Sequence, residues 1–317
     1  MRGVFLDAES LADLDLSPLK ALFSSLSIFQ QTDPNQVAER IQGAEVIIVN
    51  KVRLTRELLA AQSGLRLICL VATGTDNVNC AAAHEMGISV CNAQAYGTDS
   101  VVQHVFSLML ALHTNLLVYT QAVRDGKWAM SSQFCLLDYP IHELKGKTLG
   151  IVGYGTLGKG VARIAEAFGM EISIAQRPGS TQASADRIPL PELLPKIDVL
   201  TLHCPLTEHT KNVIDKQALE LMKPSAFLIN AARGGIVNEH DLAEALKAGT
   251  IAGAATDVLS QEPPSEGNPL LAETIPNLII TPHNAWGSVQ ARQRIIDQTV
   301  ENIQGFIKQK PVRIVNA

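Results

Sequence analysis

The chain has 317 residues, which at roughly 100–200 residues per domain suggests two domains and room for a substantial core. Lys plus Arg number 26 and Asp plus Glu 31, a net charge of −5 that argues against a surface built to track nucleic acid or anionic lipid. Hydrophobic residues make up 46%, too many for a disordered chain.

The start, MRGVFLDAES, places Asp7 and Glu9 where a signal peptide would be basic, so no export signal is read. Short apolar runs then alternate with helical patterns. Strands are expected at 4–6, 46–49, 67–71 and 88–91, and again at 148–152, 171–175, 198–202, 226–230, 252–257 and 278–281. Continuous apolar strands separated by helices imply parallel sheets covered on both faces. The most apolar stretch, Val101 to Leu112, carries Gln103 and His104 and is too short to cross a bilayer. It belongs to a long helical pattern over 100–124, and a second long pattern covers 286–308. Between them, 125–147 reads as a loop or arm. Five scattered cysteines (69, 80, 91, 135 and 204) form neither a disulfide framework nor a metal-ligand spacing; reduced thiols of a cytoplasmic protein are expected, and no metal.

Residues 148–158 read TLGIVGYGTLG. Gly153, Gly155 and Gly158 follow a strand and open a helix whose Val161, Ile164, Ala165 and Phe168 share one face. This is the context of a dinucleotide fingerprint: a tight turn, a close approach to a pyrophosphate, and close helix–strand packing. The helix N-terminus then offers free N–H groups to the phosphates. The next strand ends at Gln176 and Arg177, where an acidic residue would hold the adenosine ribose. Glutamine does not repel a ribose 2′-phosphate and arginine can pair with one, which favours NADP over NAD or at least tolerance of both.

Four polar residues follow strand ends in the same half: Arg233 in NAARGG, Asp257 in AATDV, Glu262 in SQEPP and His283 in TPHNAW. Ligands of open parallel sheets bind beyond the carboxyl ends of the strands. Hydride transfer to a carbonyl makes an alkoxide that needs a proton donor, for which histidine is suited. A carboxylate on its second nitrogen orients it, and an arginine fork binds a substrate carboxylate.

The ordered set of glycine loop, HCPLT (203–207), NAARGG (230–235), the Glu-Pro of SQEPP and TPHNAW (281–286) resembles the D-isomer-specific 2-hydroxyacid dehydrogenases over essentially the whole chain. NKV (50–52), VATGTDNVN (71–79), SSQFCLLDYPI (131–141) and GGIV (234–237) resemble the glycerate dehydrogenase or hydroxypyruvate reductase branch. The resemblance implies two α/β parallel-sheet domains. A Rossmann cofactor domain (97–285) would be inserted in a flavodoxin-like substrate domain (1–96 plus 286–317), with Tyr96 and Gly97 at the crossover and a cleft closing over substrate.

It also implies Arg233, Glu262 and His283 as the catalytic three, and Thr73, Gly74 and Thr75 as backbone donors to the substrate carboxylate. Leu157 and Gly158 would touch the pyrophosphate, Cys204 and Pro205 the adenosine side, and Ala231, Asp257 and Trp286 the nicotinamide. The expected partners are a small 2-keto or 2-hydroxy acid and a second copy of the chain through the 125–147 arm. Two positions depart from the family besides Gln176: Ala231, where Thr is common, and Asn284, whose amide stands beside the histidine. The alternatives are a dinucleotide-sensing binding protein of the same fold, or a dehydrogenase of a bulkier keto acid, formate or phosphite.

Overall fold

The computed structural model describes residues 1–180, 186–272 and 275–316. The chain forms two compact units, Met1–Gly97 with Gly287–Ala317, and Thr98–Trp286. Each boundary lies one residue from the sequence-based one.

The first unit holds a parallel sheet of β1 (Arg2–Phe5), β2 (Ser25–Ile28), β3 (Val46–Val49), β4 (Leu67–Leu70) and β5 (Ser89–Cys91) in the order β2-β1-β3-β4-β5. This is the flavodoxin-like order. The central strands β3 and β4 are buried at every residue, as two-sided coverage requires. β2 was not expected from the sequence. It is an edge strand reading SLSI, half exposed in alternation, so it lacks the continuous apolar run that marks its neighbours.

The helix Val289–Ile307 returns to this unit. Its Arg294 Nε donates to the Tyr96 carbonyl (2.7 Å), and its Asn302 Nδ2 to the Asn92 carbonyl (3.1 Å). Its Arg292 forks onto the Asp13 carboxylate.

The second unit holds six parallel strands: β6 (Thr148–Val152), β7 (Glu171–Ile174), β8 (Val199–Leu202), β9 (Phe227–Asn230), β10 (Gly253–Thr256) and β11 (Leu278–Ile280). Their order is β11-β10-β9-β8-β6-β7. The chain leaves β6 toward β7 on one side and returns to β8 on the other, so the switch point falls where β6 ends and the glycine loop begins. β8, β9 and β10 are buried throughout, with an apolar cluster against each face of the sheet.

The single helix expected over 100–124 is two helices, Thr98–His113 and Leu116–Arg124, bent by 62°. Asn115 between them takes a left-handed conformation (φ 50°), which asparagine tolerates better than most residues. Among the described residues no single helix is long and apolar enough to cross a membrane.

Candidate active site

Every candidate residue of the second unit lies at or beyond the carboxyl end of a strand of one sheet. Gly153 follows β6, Gln176 β7, Cys204 β8, Ala231 and Arg233 β9, Asp257 and Glu262 β10, and His283 β11.

The glycine loop is shaped by what a side chain would hit. Gly153 has φ +93°, and a Cβ there would stand 2.6 Å from the Cys204 nitrogen. A Cβ on Gly158 would stand 2.2 Å from the Gly153 carbonyl, so only glycine lets the helix Thr156–Ala167 pack this close. Gly155 is different. Its Cβ would meet nothing within 4 Å, which leaves open space directly at the N-terminus of that helix, and no side chain caps the helix there. Open space beside uncapped N–H groups suits the pyrophosphate of a dinucleotide. Gln176 Nε2 donates to the Ser180 carbonyl (3.1 Å) across the Arg-Pro-Gly turn, and Arg177 is exposed. The Cys204 thiol is buried, and burial pushes its pKa up, which disfavours the thiolate.

At the other strands, Asn230 ends β9 as a buried carboxamide. It accepts from the Ala232 N–H (3.1 Å) and donates to the Arg233 carbonyl (3.0 Å), which fixes the turn that carries the exposed Arg233. The next residue, Gly234, packs on the backbone of Leu259 and Ser260. Leu259 N–H in turn donates to Glu262 Oε1 (2.8 Å). The other Glu262 oxygen, Oε2, lies 2.6 Å from His283 Nδ1. Nδ1–H donation to the carboxylate sets the ring and leaves Nε2 for chemistry.

Asp257 is 1% exposed and organises the segment around the histidine. Its carboxylate accepts from the Thr281 hydroxyl (2.6 Å) and from the Asn284 (3.0 Å) and Ala285 (2.9 Å) N–H groups. Its carbonyl accepts from the His283 N–H (2.8 Å). Trp286 Nε1 donates to the His283 carbonyl (3.0 Å). Asn284 uses its backbone N–H in this network while its side chain is exposed.

In the first unit, Thr73, Gly74 and Thr75 follow β4. The Thr73 hydroxyl donates to the Ala93 carbonyl (2.9 Å) and Asn92 Nδ2 to the Thr73 carbonyl (2.8 Å). Among the described residues no acceptor takes the three N–H groups of 73–75.

The sequence reading missed Asn230, Gly234 and Thr281. Each acts on a residue distant in the chain or through backbone, and only NAARGG and TPHNA, as whole strings, carried any signal of them. Among the described residues no group of three or more His, Cys, Asp or Glu side chains is placed to hold a metal.

A glycine-cradled parallel sheet with a histidine–carboxylate pair at its rim defines the class of dinucleotide-dependent oxidoreductases. Residues 106–285 match the model of the D-isomer specific 2-hydroxyacid dehydrogenase NAD binding domain. The chain belongs to the D-isomer specific 2-hydroxyacid dehydrogenase family. It is 44% identical to a glycerate dehydrogenase of Methylorubrum extorquens, over 99% of this chain and 98% of the relative. It is 36% identical to a hydroxypyruvate reductase of Blautia hydrogenotrophica, over the full length of both. Among solved structures, an NADPH-dependent glyoxylate/hydroxypyruvate reductase from Sinorhizobium meliloti, in complex with NADP and malonate, superposes with a TM-score of 0.82. That match has 28% identity and covers 99% of this chain and 96% of the other.

Proposed function

We propose that the protein is a D-2-hydroxyacid dehydrogenase that reduces small 2-keto acids, hydroxypyruvate and glyoxylate first, to D-2-hydroxy acids. The observation that carries this reading is the 2.6 Å contact between Glu262 Oε2 and His283 Nδ1 at the rim of the sheet that holds the glycine loop. A bound nicotinamide dinucleotide supplies the hydride. His283 delivers a proton from Nε2 to the forming alkoxide, and Glu262 stabilises the charged imidazole that donates it. Arg233 binds the substrate carboxylate and polarises the adjacent carbonyl. Thr73, Gly74 and Thr75 offer backbone N–H donors of the kind a substrate carboxylate accepts. Gly153, Gly155, Leu157 and Gly158 take the pyrophosphate, Cys204 and Pro205 border the adenosine, and Ala231, Asp257 and Trp286 shape the nicotinamide site.

The cofactor is NADP in preference to NAD, supported by Gln176 and the exposed Arg177. The active form is a homodimer. Its support is the 125–147 arm, which leaves Trp128, Met130, Phe134, Leu137 and Ile141 exposed, large apolar side chains of the kind a partner surface covers. A reducing, cytoplasmic setting suits five free cysteines.

The test follows NADPH and NADH oxidation separately with hydroxypyruvate, glyoxylate and pyruvate. Turnover of hydroxypyruvate or glyoxylate is expected, with a loss of about a thousandfold in His283→Ala at unchanged dinucleotide affinity. Folded protein that binds dinucleotide but turns over none of these acids overturns the substrate assignment.

A further inference from the structure

His283 sits in a left-handed backbone conformation, φ 50°, directly after a proline. A residue with a Cβ avoids that region unless its surroundings over-determine it. The Asp257 carboxylate and carbonyl supply part of that determination. The rest comes from one face of the helix Thr98–His113. Ser100 Oγ donates to the Ala285 carbonyl (2.7 Å), and His104 Nε2, one helical turn later, lies 2.9 Å from Thr281 Oγ1 and 3.5 Å from Asp257 Oδ1. The two ends of the histidine loop are therefore fastened to the same helix at i and i+4.

The proton positions follow from the bonds. The Thr281 hydroxyl has one proton and gives it to Asp257 Oδ1 at 2.6 Å. Its contact with His104 must then run the other way, with Nε2–H donating to the hydroxyl oxygen. His104 is only 19% exposed at its side chain, and Asp257 1%, so each bond in this chain is made away from bulk water, where leaving a partner unpaired is costly.

We infer that Ser100 and His104 are positioning residues for the reaction: through Ala285, Thr281 and Asp257 they hold His283 in the conformation that meets Glu262. The inference rests on the function proposed above only where turnover is its readout. Neither residue touches the reacting atoms. The expected signature is therefore a loss in kcat with dinucleotide affinity intact, recovered by a side chain that still donates to Thr281.

The experiment compares the full-length protein with His104→Phe, His104→Gln, Thr281→Val and Ser100→Ala. Two readouts are used: steady-state kinetics with hydroxypyruvate, and hydrogen exchange of the Asn284 and Ala285 amides, whose N–H groups bond Asp257. In His104→Phe, kcat is expected to fall about tenfold or more, dinucleotide Kd to stay within about twofold, and the two amides to exchange about tenfold faster. His104→Gln, whose amide N–H reaches the same hydroxyl, is expected to keep most of both. Thr281→Val, nearly isosteric, repeats the His104→Phe result and stands in if that variant does not fold.

Unchanged exchange and unchanged kcat in His104→Phe, or equal kcat loss in the Phe and Gln variants with exchange unaltered, overturns the inference. If the unmodified protein turns over no keto acid, the functional proposal falls, and the exchange rates alone decide whether these residues hold the loop.

Discussion

Gly234 and Leu259 touch so closely that a Cβ on the glycine would stand 1.9 Å from the Leu259 carbonyl oxygen. The contact joins the two loops of the proposed site. Arg233 is the neighbour of one partner, and the N–H of the other holds Glu262. In Gly234→Ala the loops must separate, because the clash is with backbone and no side chain can turn away. A displacement of about 1 Å in a catalytic group costs about a hundredfold. The variant is expected to lose at least tenfold in kcat/KM for keto acid while binding dinucleotide, as measured by steady-state kinetics and fluorescence titration. Full activity in the folded variant would show that the loops move independently.

Glu262 spends one oxygen on the Leu259 N–H and the other on His283. Glu262→Gln preserves the size of the side chain but removes the charge that stabilises the protonated imidazole. A kcat loss of about a hundredfold is expected, with KM for dinucleotide unchanged. Single-turnover hydride transfer checks it, and an unaltered rate would remove Glu262 from the proton step.

The central strands were legible because they are buried on both faces and written in continuous apolar runs, as in the VIIV of β3 and the FLI that opens β9. β2 was not, because an edge strand alternates and SLSI resembles a loop. The bend at Asn115 was hidden because apolar periodicity runs on through it, while one left-handed residue breaks the helix. Arg233, Glu262 and His283 could be singled out because each follows a strand end, where ligands gather. What holds them could not. His104 reads as a polar interruption in an apolar helix, and its partner Thr281 lies 177 residues away.

The proposed preference for NADP rests on the end of β7. Gln176 bonds the Ser180 carbonyl across a turn whose Arg177 is exposed, and neither repels a 2′-phosphate. Gln176→Asp places a negative charge there and is expected to shift the kcat/KM ratio toward NADH by about tenfold or more. Arg177→Ala is expected to raise KM for NADPH and leave that for NADH alone. A ratio that does not move in either variant would place cofactor discrimination elsewhere.

His203 follows β8, next to the glycine loop. Its Nε2 lies 2.9 Å from the Thr201 hydroxyl, and its Nδ1 is buried with no hydrogen-bond partner among the described residues. Burial pushes the imidazole down to about 4. In the unfolded chain the same ring titrates near its ordinary value of about 6.5. Between those values the unfolded state binds a proton that the folded state does not, so stability is complete above about pH 6.5 and is lost as pH falls toward 4. The loss from this one group is on the order of 3 kcal/mol. His113, whose pKa burial also lowers, adds to the loss with the same sign. Denaturant unfolding from pH 7 to pH 4 is expected to show this decline, and His203→Asn to flatten it without abolishing it. An identical pH slope in the variant would mean that the buried ring is not what makes the fold acid-sensitive.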